Sequence, residues 1–142
     1  MKKNILRWGL IALLIIFSPL IYTEVQAYIT TNAVFPVINA FSAKSKTVLV
    51  SILTTFNFIS AILTSIITAL PCGYLARKQS KIIAIVFIVS ILWIPVSVVF
   101  QEPKVSTFIT IVFLGQLVAV VFSALIFTEM GSRLAEKGRG KV

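Results

Sequence analysis

Residues Thr47–Leu70 read TVLVSILTTFNFISAILTSIITAL, and none of these 24 positions carries a charge. As a helix rising 1.5 Å per residue the run is about 36 Å long, enough to cross a hydrocarbon core about 30 Å thick. Two further runs share this character, at about residues 82–100 and 105–128, and a third at about 5–23 carries only Arg7, near its start. Apolar runs of this length, repeated four times and nearly free of charge, belong in lipid rather than in a soluble core. The predicted fold class is all-α: an integral membrane bundle of four transmembrane helices in a single membrane domain over residues 1–142.

Composition supports this reading. The chain is 58% hydrophobic and 12% charged, against about 45–50% and about 25% for ordinary soluble domains. It has no His and no Asp, one Cys (Cys72) and four acids, Glu24, Glu102, Glu129 and Glu136. Ser–His–Asp and Cys–His nucleophile systems and His/Cys zinc sites are thereby excluded. No catalytic, cofactor-binding or metal-ligating set is expected, and the chain does not read as an enzyme.

Thirteen Lys and Arg give a net charge of +9. They fall in short clusters between the apolar runs, too dispersed to form a nucleic-acid-binding domain. If the chain crosses four times, ten of them fall on one side: Lys2, Lys3, Arg7, Arg77, Lys78, Lys81, Arg133, Lys137, Arg139 and Lys141. Lys44, Lys46 and Lys104 fall on the other. The positive-inside rule puts the larger group in the cytoplasm. Both termini (N-in, C-in), the loop 71–81 and the tail 129–142 are then cytoplasmic, and the segments 24–46 and 101–104 lie outside. The short basic leader and compact loops suit a bacterial inner membrane.

The N-terminus admits a second reading. Met1–Arg7 has the charge of a secretory n-region, Trp8–Phe17 the length of its apolar core, and Val25-Gln26-Ala27 the form of a cleavage site. Against it, Leu20-Ile21-Tyr22 prolong the apolar run to the length of a span. Within the outer segment 24–46, apolar Tyr28, Ile29, Val34, Phe35, Val37, Ile38 and Phe41 alternate with polar residues. Pro36 is expected to divide it, leaving a connector, a short surface helix or a lid over the bundle. Pro19 is expected to kink its helix or end its regular part, and Pro95 to kink its own. Pro71-Cys72-Gly73 reads as a helix stop.

Inside a bilayer, helices associate through close packing of small residues and through cross-helix hydrogen bonds. Small and hydroxyl side chains recur every four residues at Ser51 and Thr55, at Ala61, Ser65 and Ala69, and at Ser60, Thr64 and Thr68. The fourth run repeats the pattern at Gly115, Ala119 and Ser123. Asn57 and Gln116 are the strongest polar groups at depth, each near mid-helix. They are expected to bond each other, or a backbone or hydroxyl group across an interface. Glu24 and Glu129 read as solvated boundary charges, and Cys72 as a free thiol at the inner face.

In Gly73-Tyr74-Leu75-Ala76-Arg77-Lys78-Gln79-Ser80-Lys81, residues Gly73, Leu75, Ala76 and the basic Lys78 resemble the loop between helices two and three of major facilitator transporters. Arg77 stands where that family has Asp, and Ser80 where it has Gly. Four helices cannot make a twelve-helix carrier, so the segment is read as a basic cytoplasmic loop. The expected function is that of a non-enzymatic accessory, regulatory or protective protein. Its partners would be the lipid bilayer and another membrane protein or itself, not nucleic acid. The alternative is a subunit of an oligomeric transporter or channel, lined by the Ser/Thr face of the second run.

Overall fold

The computed structural model describes residues 2–40, 45–101 and 107–138, and among these only residues 45 and 138 are not helical. The elements are α1 (Lys2–Ile29), α2 (Phe35–Ala40), α3 (Lys46–Thr64), α4 (Leu70–Ala76), α5 (Ser80–Gln101) and α6 (Thr107–Lys137). A wide π turn at Thr30–Val34 joins α1 to α2, another at Ser65–Ala69 joins α3 to α4, and a 3-10 turn at Arg77–Gln79 leads into α5. Among the described residues, three helical stretches are long and apolar enough to cross a membrane: Asn4–Ala40, Thr47–Trp93 and Thr110–Lys137. Lys44, Lys104, Arg139 and Lys141, used above to assign orientation, lie outside the described residues.

Two proline expectations are overturned for one reason. Proline has no N–H to donate, and its ring collides with the carbonyl four residues back. Here the turn before each proline is widened by one residue. Phe35 N–H bonds Thr30 O just before Pro36, and Leu70 N–H bonds Ser65 O just before Pro71. The extra residue absorbs the misfit, a known use of π bulges. Pro36 therefore does not divide the outer segment, and the helical path from α1 reaches Ala40. Pro71 does not stop its helix, which runs on to Ala76. The last helix extends to Lys137, so the expected tail begins as about two and a half further helical turns.

The true break is Arg77, with φ 55° and ψ −117°. It is the one non-glycine residue with positive φ among those described, and such backbone strain costs about 1–3 kcal/mol. Its carbonyl accepts from Ser132 Oγ at 3.0 Å. Three residues on, Ser80 Oγ meets Glu129 Oε2 at 3.4 Å. Cys72 and Ala76 of α4 share an apolar cluster with Ile83 of α5 and Ile11 of α1. The 47-residue stretch Thr47–Trp93 is thus a helical hairpin folded at Arg77.

Pro19 shows a second way to satisfy a backbone that proline has disturbed. Lacking an N–H at position 19, the helix leaves the Ile15 carbonyl without its usual donor. Ser18 Oγ donates to that carbonyl at 2.7 Å, and Ser90 Oγ of α5 donates to it at 3.0 Å. The freed carbonyl becomes a cross-helix joint, as a low-dielectric setting requires.

The packing is inverted relative to a water-soluble protein. Ala61, Ala69, Ala119, Ala124, Ser60, Thr64, Ser65 and Thr68 are buried, with Phe87, Ile91 and Val120 filling the spaces between them. Leu, Ile and Phe crowd the outside: Leu13, Ile16 and Leu20 on α1, Ile59, Ile62 and Leu63 on α3, and Leu114, Phe122 and Ile126 on α6. Exposed apolar cover this extensive is uncommon on soluble monomers. It is what lipid contact permits, since tails do not penalise exposed Leu and Ile.

Candidate functional site

α6 lies against α3, α4 and α5, and α1 against α3 and α5. Down the seam between α6 and the α3–α4 pair, small residues set the separation. A Cβ on Gly115 would lie 2.9 Å from Thr54 Cγ2. Ser65 Oγ donates to Ser123 Oγ at 3.0 Å, and Ser123 Oγ passes its own proton to Ala119 O at 2.7 Å. A Cβ on Gly73 would collide with the Thr128 carbonyl, and one on Gly131 with the Leu70 carbonyl. At that end the two helices touch backbone to backbone. Gly73 is therefore a contact glycine inside a helix, not part of a stop.

Of the positions singled out in the sequence, Gly115, Ala119, Ser123 and Ser65 meet on this seam. Asn57 is buried on the flank of α3 that meets α1, where its Oδ1 accepts from Gln26 Nε2 at 3.2 Å. Gln116 is half-buried beside the Tyr22 phenol, although no hydrogen bond of good geometry closes on the buried Tyr22 hydroxyl. Asn57 thus takes its bond from Gln26 rather than from Gln116. The register between α1 and α3 decides this, and spacing within either helix does not encode it. Gln26 was legible only as part of a cleavage-site pattern.

Ser51 and Thr55 are placed differently from Ser65. Both lie exposed on α3, beside an open groove of about 490 Å³ whose walls include Val50, Thr54 and Phe58. Their hydroxyls are turned back on their own helix. Ser51 Oγ donates to Thr47 O at 3.0 Å and Thr55 Oγ1 to Ser51 O at 2.8 Å. Such back-bonding satisfies a hydroxyl without water. The result is a shallow, small-residue surface flanked by bulky apolar side chains. No family model, curated protein or solved structure matches this chain.

Proposed function

We propose that the chain is a small polytopic protein of a bacterial inner membrane that crosses the bilayer four times with both ends in the cytoplasm. It acts as a non-enzymatic accessory, regulatory or protective protein by helix–helix contact with a second membrane protein. The crossings correspond to α1, α3–α4, α5 and α6, since the hairpin at Arg77 divides the longest stretch. A retained first helix is supported by its place in the bundle: Ile11, Ser18 and Tyr22 are buried, and Gln26 and Ile15 bond α3 and α5.

The observation that carries the reading is the exposed pair Ser51 and Thr55 with internally bonded hydroxyls. Small side chains that need nothing from solvent let a neighbouring helix approach closely. A pore wall asks the opposite, hydroxyls offered to water and ions. The oligomeric transporter or channel reading also loses the inner half of its lining, because Ser65 and Thr68 are buried within one chain.

Purification of the tagged protein from its native membranes in mild detergent tests the proposal. The expected result is a stoichiometric complex with a larger membrane protein, lost when Ser51→Leu and Thr55→Leu are combined, with no solute flux from liposomes holding the protein alone. Recovery only as copies of itself, together with flux, would overturn it.

A further inference from the structure

At the end of the bundle where the hairpin turns, the start of α1 and the turn after α4 enclose an open cleft of about 380 Å³. Its walls include Asn4, Arg7, Trp8, Arg77, Lys78 and Gln79. Three cations and two amides converge there, and among the described residues no acid lines the cleft. The nearby Glu129 is engaged elsewhere, by Arg133 at 3.1 Å and Ser80 at 3.4 Å.

Two features mark this cleft as more than a solvated charge cluster. The Arg7 guanidinium stands 5.3 Å from the centre of the Trp8 ring, and its Nε is buried with no hydrogen-bond partner among the described residues. A buried donor left unpaired is costly unless a ligand supplies the acceptor. Arg77 is the residue held at φ 55°, a conformation that glycine would adopt freely. An arginine there gives the cleft a cation at the expense of backbone strain, and strain of this kind collects at binding sites.

We infer that this cleft binds the phosphate of an anionic glycerophospholipid headgroup. Guanidinium groups bond phosphate oxygens strongly and in pairs. The volume equals about a dozen liquid waters, room for a phosphate with its glyceryl root. Ile5, Leu6 and Leu10 lie exposed on the same turns of α1 and offer the acyl chains an apolar wall. The inference rests on reading this end as lying at the membrane surface, but not on the identity of any protein partner.

Native mass spectrometry of the full chain, released from detergent with added phosphatidylglycerol or phosphatidylcholine, tests it. Phosphatidylglycerol is expected to be retained preferentially. Arg7→Gln and Arg77→Gly should each weaken that retention about fivefold, while Lys137→Gln, at the exposed end of α6, should leave it unchanged. Arg77→Gly relieves the strained backbone, so its melting temperature should equal or exceed that of the unmodified chain, which separates loss of the ligand from loss of the fold. Equal retention by the unmodified chain and both cleft variants would overturn the inference. So would saturation by glycerol 3-phosphate without lipid at concentrations where phosphatidylglycerol binds no better, which would make the ligand a free phosphate ester.

Discussion

Gly73 of α4 and Gly131 of α6 face each other so closely that a Cβ on Gly131 would lie 3.1 Å from the Gly73 carbonyl carbon and 2.7 Å from Tyr74 N. Backbone, not side chain, forms this contact, and backbone cannot move aside as a rotamer can. Gly131→Ala and Gly73→Ala should each destabilise the fold by at least about 1–3 kcal/mol, the usual range for overpacking. Gly9→Ala is the control, because nothing lies within 4 Å of its Cβ position. Thermal unfolding in detergent should show both contact variants melting well below the control. Equal melting temperatures would mean that the two helices do not cross at these glycines.

The amide pair Gln26–Asn57 ties α1 to α3. Interhelical hydrogen bonds in membranes average about 0.6 kcal/mol and reach about 1.7 kcal/mol. A double-mutant cycle with Gln26→Leu and Asn57→Leu should give a favourable coupling in that range. The same cycle on Asn57 and Gln116 should give a coupling indistinguishable from zero. A larger value for the second cycle than for the first would reverse the assignment.

Ser90 and Pro19 are linked through a carbonyl that belongs to neither, Ile15 O. Ser90→Ala should cost about 1 kcal/mol in the unmodified chain, the worth of one hydrogen bond. In a Pro19→Ala background residue 19 regains an N–H, the carbonyl regains its helical donor, and Ser90→Ala should cost measurably less. The check is the difference between two unfolding experiments, which removes the separate effect of Pro19 on helix stability. Identical costs in both backgrounds would show that the serine does not answer the proline.

Much of the fold was legible in the sequence because lipid imposes a coarse rule. A span must be long, apolar and nearly free of charge, and the runs around Thr47–Leu70 and Val105–Thr128 obey it wherever their helices end. The small-residue spacing at Ser65 and at Gly115, Ala119 and Ser123 was also legible, since a period of four puts such residues on one helix face. A residue whose role depends on a neighbouring element is not legible in this way. Pro71 and Gly73 look like a stop, but an extra residue in the preceding turn accommodates the proline, and the glycine serves α6. The turn falls on Arg77, inside the loop expected at 71–81, but its exact position is not legible because arginine has no turn preference. Tyr22, Gln26 and Ser90 acquire their roles only from helices packed beside them.

The proposed path, with both ends and the hairpin at Arg77 inside and the start of α3 outside, is tested most directly by labelling intact cells. In a Cys72→Ala background, Ser45→Cys and Gln79→Cys would each be exposed to a membrane-impermeant maleimide, before and after the membrane is opened. Ser45 and Gln79 are both exposed in the structure. Position 45 is expected to label in intact cells, and position 79 only after the membrane is opened. Labelling of position 79 from outside, or of both positions alike, would contradict it.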